Sequence, residues 1–124
     1  MPANFQPIFP LTGISSAVAV PLITDVAAGT GSATLFTAGA FGTKWDGVQF
    51  MPTAQIGGSG WLHIYYNTNL LVGTIAIPDP WELGRPVLWK NPAANHVVTA
   101  TYVIKVGKIG QAGVIHAFAL ATDY

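Results

Sequence analysis

The chain contains no cysteine. That excludes a disulfide framework and thiol chemistry, and it leaves the redox compartment open. Charge is scarce too: 8% of the 124 residues are Asp, Glu, Lys or Arg, against about 25% in an average soluble domain. The basic residues Lys44, Arg85, Lys90, Lys105 and Lys108 are scattered and form no stripe. Phosphate backbones need clustered cations, so the pattern speaks against nucleic-acid binding. The longest apolar stretch, Ile14 to Ala28, contains Pro21 and Asp25 and is too short to span a bilayer. The N-terminus lacks the basic region of a secretory signal. Together these absences predict a soluble chain made in the cytoplasm, without nucleic-acid or membrane partners.

No catalytic, metal or cofactor constellation is legible. His63, His96 and His116 are far apart in sequence and show no ligand spacing. Gly57-Gly58-Ser59-Gly60 resembles a nucleophile elbow, but Trp61 stands where its last glycine belongs. Gly29-Thr30-Gly31 lacks the third glycine and the helix of a dinucleotide fingerprint. Asp79 and Glu82 flank Trp81 in a proline-rich loop, where solvation or pairing with Arg85 suits them better than sugar hydrolysis. The expectation is a protein that is not an enzyme and needs no cofactor.

What the chain does have is 51% hydrophobic residues arranged in short alternating runs. Trp61 to Tyr66 and Leu70 to Ile77 flank Asn67-Thr68-Asn69, and Asn tolerates positive φ, so these runs predict a hairpin. Further strands are predicted over Ala17 to Thr24 (broken by Pro21), Ala33 to Thr37, Trp45 to Met51, His96 to Lys105 and Val114 to Ala121. Gly107, Gly110 and Gly113 read as a turn, and Pro78 to Pro92 as irregular. No segment holds helical periodicity, and no repeat is visible. About eight strands at this turn spacing predict an antiparallel β-sandwich of jelly-roll type. Residues 1–12, with three prolines and no charge, read as an extended N-terminal arm before a single domain over 13–124.

Such an uncharged domain would expose adhesive patches as a monomer, which predicts life in an assembly. Phe5, Ile8 and Phe9 in the arm need a dry seat, on this domain or on a neighbour. Trp61 and Tyr65 lie opposite the aliphatic face of their strand, and Ala117 and Ala119 make a small-residue face that allows close approach. Both pairs are candidates for self-association. Trp81 and Trp89 are candidates either for packing over the end of the sandwich or for a ligand platform that stacks on sugar.

From Leu35 onward the chain resembles a family of small structural proteins of tailed bacteriophage particles. The resemblance rests on FTAGAFGTKWDGVQF (Phe36 to Phe50), GSGWLHIYYNTN followed by LLVGTIAIP (Gly58 to Pro78), and the closing ALATDY. The matching positions are Thr37, Ala38, Gly39, Gly42, Thr43, Asp46, Val48, Phe50, Gly60, Leu62, Ile64 and Tyr65, with Asp123 and Tyr124 at the end. About two-thirds of the chain is covered; the arm and the Pro78 to Pro92 segment depart from the pattern. The resemblance implies a capsid decoration (cement) protein on the outer surface of the virion. Its partners would be the major capsid protein, gripped by Phe5, Ile8 and Phe9, and further copies of itself in a dimer or trimer. A tail, neck or fibre component, or a carbohydrate-binding module, is the alternative.

Overall fold

Residues 17–25, 30–67, 70–93 and 97–124 are described in the computed structural model of this chain, and they form nine strands and no helix. The strands are β1 (Val18–Ala19), β2 (Ala33–Thr37), β3 (Thr43–Pro52), β4 (Trp61–Tyr66), β5 (Leu70–Ala76), β6 (Val87–Lys90), β7 (Val97–Val98), β8 (Val103–Ile109) and β9 (Ile115–Asp123). They build two antiparallel sheets. One has the order β1-β9-β3-β6, with β7 paired to the start of β3, and the other has the order β2-β8-β4-β5. The predicted arm over 1–12 lies outside the described residues.

The long β3–β9 ladder shows why these residues make a core. Ile115, Ala117, Ala119 and Ala121 alternate inward along β9, opposite Pro52, Phe50, Val48 and Trp45 of β3. A bulge between Trp45 and Gly47 puts Trp45 on the same side as Val48 although they are three apart. Leu62, Ile64, Ile104 and Val106 face them from the other sheet. The alanines leave room for the large rings: Trp45 meets Phe36 edge-on at 6.2 Å and Trp89 at 5.2 Å. Each fully buried large side chain stabilises the fold by about 1.5–3 kcal/mol relative to exposure.

Three expectations about elements need correction. The alternating run His96 to Lys105 is not one strand. Val97–Val98 pairs with β3 in the first sheet and Val103–Ile109 with β2 and β4 in the second. Between them the chain turns through Thr101 at φ 70°, where the Tyr102 amide donates to the Thr99 carbonyl. Period-two alternation reports a buried face and is blind to which sheet buries it. Gly107 lies inside β8 and not in a turn, and the Pro78 to Pro92 segment contains β6. The predicted hairpin does form, with Asn67 at φ 57°.

Antiparallel alternation sorts the connections to two ends. The β2–β3 and β4–β5 links, the stretch around β7 and the end of β9 gather at one end. The β1–β2, β3–β4, β5–β6 and β8–β9 links gather at the other. At the second end the chain after β1 crosses between the sheets as a strap. The Val20 amide donates to Ile115 of the first sheet, and Leu22 bridges Lys108 of the second. The Lys108 backbone grips the strap twice, accepting from Ile23 and donating to Pro21, both at 2.9 Å, and its Nζ donates to the Val20 carbonyl.

Candidate interaction surface

The first end is built on a polar lock. Thr43 is fully buried; its Oγ1 accepts from the Gly39 amide at 3.1 Å and donates to Asp123 Oδ1 at 2.5 Å. The Gly42 amide donates to Gly39, and the Tyr124 amide donates to the Gly42 carbonyl. The β2–β3 turn is thereby tied to the end of β9, 80 residues away in sequence. The Thr37 to Thr43 turn and Asp123-Tyr124 meet in this corner.

Apolar side chains crown the lock. Phe41 at the tip of the turn is 82% exposed, and Tyr124 and Val97 beside it are also exposed. Val97 sits within contact of the Gly42 backbone. Across the end, Tyr102 stands edge-on to Tyr66 at 5.8 Å, and Tyr66 pairs with the exposed Leu70. Lys44 and Asp123 stand beside this end; Lys44 lies 3.9 Å from Asp46, and Asp123 is engaged by Thr43. Exposed aromatic and aliphatic groups around a rigid rim are what a partner's apolar surface recognises. Their sequence signal was weak, because Phe41, Val97 and Tyr102 come from separate segments that only the sheet crossing unites.

A second apolar surface lies on the outward side of the β1-β9-β3-β6 sheet. Leu88, Gln49 and Phe118 form one cross-strand row, and Met51 lies opposite His116 in the next. Leu88 is exposed, and Phe118, Leu120 and Met51 are half-buried.

The residues singled out from sequence fall in different places. Phe5, Ile8 and Phe9 lie outside the described residues, as does His96. Ala117 and Ala119 are in the core: the layer that approaches them closely is the chain's own second sheet, so their face is not open to another copy. Trp61 is half-exposed at the second end, but Tyr65 is completely buried, so the two do not form one exposed face. Trp81 is 1% exposed, with its Nε1 donating to the Arg85 carbonyl at 2.5 Å, and it offers no ring face to a sugar. Trp89 is half-buried and spans the two sheets at their β5–β6 edge, its indole lying against Gly73. An open cleft of about 440 Å³ remains beside Trp81, lined by Pro78, Pro80, Glu82, Arg85, Pro86 and Val87. Glu82 and Arg85 form an exposed ion pair at its rim, 3.5 Å apart.

Tyr65 is buried on the outward side of its sheet, together with His63. Its hydroxyl stands 3.5 Å from His63 Nδ1. Burial lowers the His63 pKa; burial, and then the charge of Asp25, raise that of Tyr65. Burial likewise lowers the Lys108 pKa. The described residues bring no group of three or more His, Asp or Glu together in a metal-binding arrangement. Comparison of the chain with protein-family models, curated proteins and solved structures finds no match.

Proposed function

We propose that this chain is a non-enzymatic structural protein of a tailed-phage particle, a capsid decoration protein that attaches through the apolar end. The observation that carries the reading is the crown of Phe41, Val97, Tyr102 and Tyr124 on a hydrogen-bonded corner. A rigid rim of this kind presents anchors that lose little entropy on binding. Its low charge lets many copies pack side by side without like-charge repulsion. The resemblance of the turn and the closing Asp123-Tyr124 to phage structural proteins points the same way.

The strand order supports a jelly roll within this reading. With β7 set aside, β1 pairs with β9, β2 with β8, β3 with β6 and β4 with β5. Those are the nested pairs made by wrapping one long hairpin around a sandwich, an architecture common in viral shells and in lectins. Architecture alone does not fix function. The buried ring of Trp81 weighs against the lectin-like alternative as far as that residue is concerned.

In the proposal, Phe5, Ile8 and Phe9 reach an adjacent shell subunit, and the apolar end makes contacts between copies or with the shell. Quantitative mass spectrometry of purified particles tests this directly. A copy number equal to that of the major shell protein, or a simple fraction of it, is the expected result. A handful of copies per particle moves the chain to the tail or neck, and absence from particles overturns the virion reading.

A further inference from the structure

The strand β9 is paired unequally on its two sides. β3 lies along it from Ile115 to Asp123. On the other side Val18 pairs with Ala117 and Ala19 with His116, and no other described strand pairs there. The Val20 amide donates to the Ile115 carbonyl, which fixes where each residue of β9 turns its backbone. Antiparallel ladders alternate, so the N–H and C=O of Ala117, Ala119 and Ala121 point away from β3, toward the β1 side.

Beyond Ala117 that edge is nonetheless dry. Ala119 is 2% exposed and Ala121 is 0% exposed. Buried backbone amides and carbonyls are paired in nearly all folded proteins. β2, the edge strand of the other sheet, has its ladder with β8, and the described turn and strap bonds do not reach Ala119 or Ala121. A buried edge with this alternation fits one occupant, another strand.

The register of β1 says which strand. Residues 1–16 precede Ala17, the first described residue. Continued without a bulge, the β1 pairing sets Ser16 opposite Ala119, Ile14 opposite Ala121 and Thr12 opposite Asp123. Pro2, Pro7 and Pro10 all come earlier, so every position from 12 to 16 has an amide to give. Val20 is buried and Val18 packs on the core, so the same parity turns Ile14 inward, where Ala121 leaves room for it.

We propose that the edge of β9 is a strand-docking site for residues 12–16 of the same chain, which extend β1 and deliver the arm to the apolar end. β9 ends at Asp123, beside the Gly42 turn that carries Phe41. An antiparallel strand that reaches Asp123 releases residues 1–11 at that end. Phe5, Ile8 and Phe9 then share one attachment surface with Phe41 and Tyr124. That last step rests on the attachment proposed above; the strand pairing does not.

NMR of the purified full chain tests the pairing apart from any particle. The expected result is an Hα–Hα contact between Ser15 and Leu120, which the register makes a close, non-hydrogen-bonded pair, with slow amide exchange at Ala119 and Ala121. Ile14→Pro deletes an amide directed at β9 and should abolish the protection of Ala121; Ser15→Pro deletes one directed at solvent and should leave it. Absence of the Ser15–Leu120 contact overturns the docking, as do equal effects of the two prolines. Should either variant not fold, the wild-type contact decides. In a mixture of labelled and unlabelled chains the contact should stay within one chain; a contact between chains assigns the site to a neighbouring copy and overturns the proposal. The chain has no cysteine, so a spin label on Leu11→Cys is unique and should broaden Phe41 and Tyr124. No broadening there overturns delivery of the arm, whatever the particle experiment shows.

Discussion

A buried lysine that bonds a carbonyl, and a tyrosine under an acidic residue, make the alkaline stability of this chain a matter of individual side chains. Lys108 is 4% exposed and its folded pKa lies below 10.5, so the unfolded state binds more protons between the two values. Stability therefore rises as pH climbs through that window. Tyr65 is shifted the other way, above 10.0, so the folded state keeps its proton longer and stability falls again as pH passes the ordinary tyrosine value. Thermal midpoints measured across the alkaline range should rise and then fall, and Lys108→Met should remove the rise. Gly73 gives a second residue-scale prediction. Its missing side chain makes space for the Trp89 indole, so Gly73→Ala should overpack the β5–β6 edge and cost about 1–3 kcal/mol in urea denaturation. Neither position stands out in the sequence. A glycine within an aliphatic strand and a lysine within an alternating one both read as ordinary until the opposing element is known.

Between elements, the corner that joins the β2–β3 turn to the end of β9 is a lock made of one hydroxyl. Replacing Thr43 by Val keeps the shape and deletes both bonds, leaving the half-buried Gly39 amide and Asp123 without it. Such a loss costs about 1–3 kcal/mol. Hydrogen exchange should quicken at 39–43 and 121–124 while β4 and β8 keep their protection; uniform change across the sandwich would show that the lock is not local. The elements themselves were largely readable. β2 runs over the predicted residues, β4 and β5 form the predicted hairpin, and β9 alternates with the predicted parity. The failure was the His96 to Lys105 run, because Val98 and Ile104 are both buried, as alternation requires, yet in different sheets.

For the whole molecule, the property under test is the crown of Phe41, Val97, Tyr102 and Tyr124 at one end of a sandwich of low charge, whose other end exposes Leu22, Trp61, Leu83 and Val114. Phe41→Ser together with Tyr124→Ser removes two exposed anchors and leaves the corner bonds of Gly42 and Thr43 in place. Exposed substitutions of this kind shift stability by no more than about 0.5 kcal/mol. Sedimentation velocity and particle binding should both fall in the double variant while its thermal midpoint stays put. Unchanged attachment would move the contact to Leu88, Phe118 and Met51 on the outward sheet face or to the arm residues Phe5, Ile8 and Phe9. The loss of Ala117, Ala119 and Tyr65 as surface candidates belongs to this scale, since each was assigned to a face without knowledge of what covers it.

The sequence by itself determined the class of the fold. Two-residue periodicity, turn residues at short spacing and the lack of any helical period leave a chain of this composition little but antiparallel sheet. It also determined the shortage of charge that makes assembly the natural reading. Only the tertiary structure decided which faces are inside. Alternation states that a strand has two unlike faces, but an alanine face can meet another molecule or the chain's own second sheet, and the sequence is the same in both cases. Here the pairing of β9 with β3 and the packing of the two sheets closed the alanine face, Tyr65 is buried as well, and Phe41, Val97, Tyr102 and Tyr124 stay exposed.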